Sequence, residues 1–252
     1  MFLDTDYLFV FTLVGLYVYD SAQLCYFNEF FLSKGLRSSF HVQTVSLNYS
    51  FGKKFLFIPS LFFPSTLLFK VKWQTQNKTA PIVPADIEII YNLAQQLKLI
   101  QFLNTIGAIL TLIALPLSII GKASHTLIAL IIIVIYAINL INILMIFLQR
   151  KTLSLRPKTL LLLFLDSLFC PPFALNLVKK ISLNYAIQTE GLKLAQKLLQ
   201  PPQLEVLITQ IIKDIALLKT NHNLSNEQLT RLHEKEYGWC IKKYAKKKQV
   251  EF

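Results

Sequence analysis

Two long apolar segments dominate the hydrophobic pattern of the chain. Residues 101–120, QFLNTIGAILTLIALPLSII, and residues 125–148, HTLIALIIIVIYAINLINILMIFL, contain no Asp, Glu, Lys or Arg. A bilayer core about 30 Å thick needs roughly 20 apolar residues of helix, so each segment is long enough to cross it. The link between them is only GKAS, and its Gly121 is suited to ending a helix. The pattern therefore predicts an antiparallel hairpin of two transmembrane helices within residues 85–150.

A third apolar segment, residues 7–26, predicts an N-terminal transmembrane helix within residues 1–26. Its most apolar part, residues 7–19, has the length of a signal-peptide core, which is the alternative. A signal peptide also needs a basic leader and a small-residue cleavage motif, whereas this leader is MFLDTD and no Ala-x-Ala follows. We therefore favour an uncleaved span that tolerates Asp20 near one end.

Two further apolar segments do not qualify as spans. Residues 55–69 number only 15 and contain two prolines, each of which removes a helical hydrogen bond. Residues 159–178 are long enough, but Asp166 lies inside them and a Pro-Pro pair interrupts them. Both segments are expected at the membrane interface, as re-entrant segments, or in the core of a soluble domain.

The rest of the chain has soluble-domain patterns. Residues 38–54 alternate apolar and polar positions and predict a β-hairpin, whose second strand continues into residue 55 and beyond, with residues 67–73 as a further strand. Residues 27–84 thus form a small β-rich region. Pro84 and Asp86 then open a helix that runs into the second span.

The C-terminal region, residues 151–252, is predicted to be helical and basic. Residues 203–219 carry an apolar stripe with a period of 3.6, and a Ser-x-x-Gln capping box at Ser225 opens a last helix. A packed core is the favoured role of the stripe, with membrane-surface docking or a partner helix as alternatives. The fold class is thus a membrane α-helical protein with about three spans, a β-rich insert and a helical C-terminal region.

Composition and charge support a membrane location and an orientation. The chain is 54% hydrophobic and 16% charged, against about 25% charged residues in a typical soluble domain. Eight basic residues lie between the first two spans, and four follow the third span as expected membrane-surface anchors: Arg150, Lys151, Arg156 and Lys158. Because basic residues favour the cytoplasmic side, the N-terminus is placed outside and both soluble regions inside. The Gly-poor, Asn-, Lys- and Ile-rich composition suggests an AT-rich genome and, as a working localisation, a bacterial inner membrane.

The net charge of +12 does not indicate nucleic-acid binding. Thirteen of the 26 basic residues flank proposed membrane segments, where topology and anionic lipid head groups account for them. No helix-turn-helix, RNP or zinc-finger motif accompanies the lysine-rich tail. The expected partners are the bilayer with its anionic lipids, and a second copy or another protein bound through the C-terminal helices.

The polar and small residues inside the spans are the candidate functional positions. One face of the second span carries small residues at steps of four, three and four, which allow close helix packing: Gly107, Thr111, Ala114 and Ser118. The third span carries Tyr136, Asn139 and Asn142, for which hydrogen bonds to the neighbouring span are expected. Packing within the hairpin is favoured for the small residues over an oligomer contact. Asp20 is the candidate intramembrane polar residue, and a position at a helix end reached by water is its favoured explanation.

The sequence contains no recognised catalytic or metal-binding motif. His233 begins HEKE rather than H-E-x-x-H, and neither a P-loop nor a dinucleotide-binding glycine pattern occurs. Asp166 and Cys170 share a helical face, but no histidine lies near them in sequence to act as a base. No catalytic residue, metal site or cofactor is predicted.

Three functions are compatible with these patterns. A non-enzymatic anchor, scaffold or subunit of a membrane complex is favoured, because the spans hold few polar groups and the soluble regions are well structured. A small oligomeric transporter or channel is the alternative, and it would need a polar path. A lipid-modifying membrane enzyme comes third, since no nucleophile, base or metal site supports it.

Overall fold

The computed structural model describes residues 5–45, 49–51, 54–61, 63–73 and 84–221. The last helix, expected from Ser225 onward, lies outside the described residues, as do residues 1–4, which precede the first predicted span. The helices in chain order are α1 Thr5–Ser21, α2 Pro84–Gln96, α3 Lys98–Ile109, α4 Leu115–Ile120, α5 His125–Leu148, α6 Pro157–Phe169, α7 Pro171–Ala174, α8 Leu177–Leu183, α9 Gly191–Leu198 and α10 Pro201–Asn221. The strands are β1 Gln23–Cys25, β2 Glu29–Lys34, β3 Phe40–Thr44, β4 Ser50–Phe51, β5 Lys54–Phe57 and β6 Leu67–Lys72.

The hairpin predicted from the two long apolar segments is present. Its first arm runs from Lys98 to Ile120 and its second is α5, and both are long and apolar enough to cross a membrane. Only 33% of the residues in the most apolar part of each arm are buried within the protein, whereas the core helix of a soluble domain would be mostly buried. Ser124 caps α5 by accepting a hydrogen bond from the Leu127 N–H at 3.3 Å.

The first arm of the hairpin is irregular just before its proline. A π-helical turn, Leu110–Ala114, joins α3 to α4, and the Leu115 N–H bonds to the Leu110 carbonyl. Pro116 follows immediately, and its missing N–H leaves a carbonyl of the preceding turn without the usual helical partner. A wider turn next to such a proline is a common way for a helix to absorb the distortion.

Helix α1 is shorter than the span expected over residues 7–26. It has 17 residues and ends at Ser21, and residues 23–25 form strand β1 instead of a last helical turn. The reason is tertiary, because Cys25 is fully buried between the two sheets and its strand pairs with β5. Leu13 nevertheless packs α1 against the hairpin through Leu115, Ile131 and Ile135.

The β-rich region forms two three-stranded antiparallel sheets. Their strand orders are β1-β5-β4 and β3-β2-β6, and they face each other through stacked Phe31 and Phe57, whose ring centroids are 4.1 Å apart. Strands are present at the predicted residues 40–44, 54–57 and 67–72, but the first two do not pair as the predicted hairpin. Strand β3 pairs with β2, whereas β5 pairs with β1 and β4 in the other sheet. Strand β2 was not predicted. Both faces of β2 are buried, so EFFLSK lacks the apolar–polar alternation that identifies a half-exposed strand.

The two segments that failed as spans are divided among short elements. The described part of residues 55–69, which is 55–61 and 63–69, lies in β5, β6 and the loop between them. Residues 159–178 are divided among α6, α7 and the start of α8, and α6 ends at Phe169 immediately before Cys170 and the Pro171-Pro172 pair. The apolar stripe of α10 is packed core, since Leu207, Ile211 and Ile215 are buried with the helix against β3.

One hydrophobic core joins the parts of the chain that look separate in sequence. It contains residues of β2, β6, α8 and α10 together with Ile100 of α3 and Ile143 and Ile146 of α5. The Leu68 N–H of β6 donates a 2.8 Å hydrogen bond to the Ser182 hydroxyl of α8. The β-rich region, the C-terminal helices and one end of the hairpin therefore form a single packed unit.

Candidate functional site

A group of polar side chains lies where α1, α3 and α5 meet the C-terminal helices. We call it the polar layer, and its members are Tyr17, Asp20, Ser21, Asn104, Asp166, Asn176, Lys179 and Lys180. Asn104 lies in the first half of one hairpin arm and Asn142 in the second half of the other. From the rise of an α-helix, both asparagines lie about 25 Å from the hairpin link. That distance is close to the thickness of the hydrocarbon core of a bilayer.

An ion cluster forms the centre of the polar layer. The Lys180 ammonium lies 2.8 Å from a carboxylate oxygen of Asp20 and 2.7 Å from one of Asp166. The side chain of Asp20 is only 13% exposed and that of Lys180 is 23% exposed. Asp20, which the sequence presents as an isolated intramembrane carboxylate, is thus paired, and one lysine satisfies acids from two distant helices.

Asn176 extends this cluster to the backbone of α1. Its amide nitrogen donates to the second Asp20 oxygen at 2.9 Å and to the Tyr17 carbonyl at 3.4 Å. Its amide oxygen accepts from the Ser21 hydroxyl at 3.0 Å. Because Asn176 is 1% exposed, these bonds fix the last turn of α1 against the segment between α7 and α8 without competition from water.

Lys179 is the most deeply buried cation in the polar layer. It is 2% exposed, its ammonium lies 5.4 Å from the ring centroid of Tyr17, and it donates to the Tyr17 hydroxyl at 3.5 Å. Burial lowers the pKa of Lys179 to about 8, an effect that the nearby Asp20 carboxylate partly opposes. A lysine with a lowered pKa can act as a base where a substrate reaches it, but the side chain of Lys179 is almost completely buried.

Asn104 binds the hairpin to the same segment. Its amide nitrogen donates a 2.7 Å hydrogen bond to the Leu175 carbonyl, just after α7. One turn earlier, Gln101 donates to the Ser65 carbonyl at 2.9 Å. The polar residues at this end of α3 therefore contact the segment after α7 and the loop before β6.

The small-residue stripe of the second span contacts α5 at Gly107. A Cβ added to Gly107 would lie 3.6 Å from Ile138, so the two helices are close at this point. Thr111 is buried, whereas Ser118 is partly exposed and donates to the Ala114 carbonyl of its own helix. The contact at Gly107 agrees with packing inside the hairpin.

The hydrogen bonds expected from Asn139 and Asn142 to the neighbouring span are not formed. Within the described part of the chain, the amide nitrogen of Asn139 and both polar atoms of Asn142 have no partner, although the two residues are 3% and 0% exposed. The Thr111 hydroxyl is also buried without a partner there. Tyr136 points elsewhere, being 39% exposed.

The predicted surface anchors lie on the outside of the protein. Arg150, Lys151, Arg156 and Lys158 are all exposed. The Arg150 guanidinium lies over the Phe147 ring, 4.7 Å from its centroid. These basic residues surround the turn that joins α5 to α6.

The cysteines of the described residues are not activated nucleophiles. Burial raises the pKa of Cys25 to about 12. Burial also raises the pKa of Cys170, and the carboxylates of Asp20 and Asp166 add to the effect. A thiol with a raised pKa stays protonated near neutral pH. Among the described residues, no group of three or more His, Cys, Asp or Glu is arranged to hold a metal ion.

Sequence reasoning missed Asn176, Lys179 and Lys180. They lie in LNLVKKI, a short segment beyond the Pro-Pro pair, and the two lysines resemble ordinary surface residues. The available signal was the pair of unexplained acids, Asp20 and Asp166, because a carboxylate in an apolar segment needs a cation nearby.

Comparisons with protein-family models, with curated proteins and with solved structures find no match to this chain.

Replacing Lys180 with methionine is expected to destabilise the protein by about 2 to 3 kcal/mol, because Asp20 and Asp166 then face each other without a cation. Adding Asp166→Asn to the Lys180→Met variant should restore part of the loss. The matched control is Lys197→Met on α9, which removes an exposed lysine. A surface substitution of this kind should change stability by less than about 0.5 kcal/mol. Thermal unfolding in mild detergent measures all three variants, and equal melting temperatures for K180M and K197M would contradict the role of the cluster.

Replacing Asn104 or Asn142 with leucine should have opposite effects on the stability of the protein. Asn104→Leu removes the hydrogen bond to the Leu175 carbonyl and should cost about 1 to 3 kcal/mol. Asn142→Leu removes an amide that has no partner and should be neutral or stabilising by up to about 1 kcal/mol. Unfolding of the two variants in the same detergent tests this order, and a loss for N142L as large as that for N104L would show that the Asn142 amide is satisfied in the membrane.

Proposed function

We propose that this protein is a non-enzymatic integral membrane anchor or scaffold, or a subunit of a membrane complex, whose soluble part is rigidly joined to its membrane hairpin. The observation that carries the proposal is the pairing of Asp20 with Lys180 and Asn176. An intramembrane carboxylate is the residue that a transporter would use for its substrate or coupling ion. Here that carboxylate, Asp20, forms an ion pair with Lys180 of the same chain.

The shared core supports the same function. The end of the hairpin is buried in the core of the soluble part through Ile100, Ile143 and Ile146. An interface of this kind, large and apolar, leaves little freedom for the soluble part to move relative to the helices. Such rigidity suits a protein that holds a partner at a fixed distance from the membrane.

The uncovered apolar surface supports insertion in a bilayer. Large apolar side chains point away from the protein along both arms of the hairpin, among them Ile113, Leu117, Leu130, Ile133 and Leu140, which are 54 to 67% exposed. Soluble monomers rarely expose apolar patches larger than a few hundred Å². We propose the orientation given by the charges, with the link at residues 121–124 outside and the soluble part in the cytoplasm of a bacterial cell.

The exposed side of α10 is the proposed partner surface, and its apolar stripe is not. Leu207, Ile211 and Ile215 are buried against the sheet and cannot contact another molecule. The exposed side of α10, which includes Val206 and Lys213, is available instead. A protein partner bound through the C-terminal helices would contact this side of α10.

A small oligomeric transporter is the second candidate. The observation in its favour is a set of buried polar atoms that have no partner among the described residues, since unsatisfied groups often mark functional positions. These atoms belong to Asn104, Thr111, Asn139, Asn142 and Gln149. The π-helical turn that contains Thr111 belongs to a class of irregularity that is frequent at functional sites.

Membrane insertion is tested by one pair of substitutions. Ile133→Arg places a charge on an exposed apolar position near the middle of α5 and should lower insertion by about 2.5 to 3.5 kcal/mol. Val206→Arg places the same charge at an exposed position of α10, outside the proposed spans, and should leave insertion unchanged. The fraction of protein that resists alkaline extraction from membranes is the measurement. Equal behaviour of the two variants would oppose the assignment of α5 to the bilayer.

The choice between anchor and transporter is tested with the variant Asn139→Leu/Asn142→Leu. An anchor purified from its membranes in mild detergent should keep the same stoichiometric partner, or the same oligomeric mass, with and without the substitutions. Sealed vesicles that contain the wild-type protein should show no more conductance to protons, Na⁺ or K⁺ than empty vesicles. A conductance of the wild type that the double variant abolishes would instead establish the transporter.

A further inference from the structure

A groove of about 780 Å³ lies between the end of α5 and α6. After the turn at residues 149–156, α6 folds back along the last turns of α5. The groove between the two helices is open along its outer side. It adjoins the surface of the hairpin that is proposed to face lipid.

The lining of the groove changes along its length. Its walls are apolar and include Leu144, Leu161 and Phe164, which are 55%, 58% and 39% exposed. Its other end is formed by Arg150 and Lys151. None of the twelve residues that line the groove is acidic. The charge at that end is therefore not neutralised by the groove itself.

The basic end is held in place by a hydrogen-bonded turn. The Ser154 N–H donates to the Lys151 carbonyl and the Leu155 N–H to the Arg150 carbonyl, each at 3.1 Å. Leu153 is fully buried in the main core, and its carbonyl accepts from the Tyr185 hydroxyl. The two cations thus project from a fixed turn, which reduces the ordering needed to bind an anion.

The direction of the groove matches the direction of a lipid. Leu140 lines the apolar end, about 16 Å before Lys151 as measured by the helical rise. The apolar end lies toward the hairpin link and hence toward the middle of the proposed bilayer, and the basic end lies away from it. A bound phospholipid has the same arrangement, with its acyl chains inward and its phosphate at the surface.

We propose that this groove is a binding site for one anionic phospholipid. An acyl chain lies against Leu144, Leu161 and Phe164, and the phosphate is bound by Arg150 and Lys151. Two cations without a balancing carboxylate favour a head group with net negative charge over a zwitterionic one, whose own cation they repel. The inference rests on the proposed membrane function and specifies the lipid class that the protein selects.

The chain supplies matched controls for both parts of the site. Arg156 and Lys158 are exposed basic residues near the same turn, but they do not line the groove. Leu162 is 52% exposed on α6 and likewise lies outside the lining. The pairs Arg150→Gln/Lys151→Gln and Arg156→Gln/Lys158→Gln remove equal charge, and Leu161→Trp and Leu162→Trp add equal bulk.

The experiment measures retained lipid on the full-length protein. Each variant is incubated in mild detergent with equal amounts of phosphatidylglycerol and phosphatidylcholine of identical chains, and bound lipid is counted by native mass spectrometry. The wild type should retain one phosphatidylglycerol in preference to phosphatidylcholine. R150Q/K151Q should lose about tenfold in phosphatidylglycerol retention, and R156Q/K158Q should stay close to wild type. L161W should lose retention and L162W should not.

Several results would overturn the site. These are equal losses in the two glutamine pairs, which would show diffuse surface attraction, equal retention of the two lipids by the wild type, or full retention by L161W. Displacement of the lipid by millimolar inorganic phosphate would show that the basic end binds a free anion and that the apolar walls contribute nothing. Alkaline extraction of the same variants distinguishes failure of the lipid site from failure of the proposed membrane function. A protein that lacks only the lipid site still remains in the membrane.

Discussion

The ion cluster of Asp20, Lys180 and Asp166 holds the N-terminal helix against the C-terminal region. Asp20 lies in the last turn of the first helix, Asp166 lies in α6 and Lys180 lies in α8, so one ammonium group connects the N-terminal helix with two elements of the C-terminal region. Partly buried charges are costly unless each is paired, and here every member has at least one partner of opposite charge. Any arrangement that moved α1 away from the C-terminal helices would leave a carboxylate unpaired next to apolar surface. The cluster therefore favours one docking of α1 over the alternatives.

The remaining architecture is built around this junction. Asn176 and Asn104 surround the cluster with hydrogen bonds to Asp20 and to the Leu175 carbonyl, and beyond them the main core encloses the end of the hairpin. On the other side of the junction the helices expose apolar side chains. The polar layer thus lies between a region that is stabilised by burial within the protein and a region that exposes large apolar side chains. In the membrane anchor proposed above, the basic turn at residues 149–156 would lie at the boundary of the bilayer.

The lipid groove and the polar layer use the same segment for different purposes. Helix α6 turns Asp166 toward Lys180 and turns Leu161 and Phe164 toward the groove. Its fold-back along α5 is fixed by the ion pair on one side and by the buried Leu153 just before its start. Helix α6 is apolar but too interrupted to be a transmembrane span. It is suited to line a lipid site, because part of its apolar surface is not covered by the described residues.

The sequence alone determined the elements whose signal is local. The two long arms of the hairpin, the strands at residues 40–44 and 67–72 and the apolar stripe of α10 follow from periodicity and length, which depend on nearby residues only. The tertiary structure decided the end of α1 at Ser21, the doubly buried strand β2 and the polar layer. In each case the cause is a contact between residues far apart in sequence, such as Cys25 with the facing sheet or Asp20 with Lys180. Burial on both faces hides a strand from alternation. An acid in an apolar segment indicates that a cation lies nearby, but the sequence does not show which distant residue supplies it. The physical reason is that pairing energy depends on distance in space, whereas a sequence pattern records only distance along the chain.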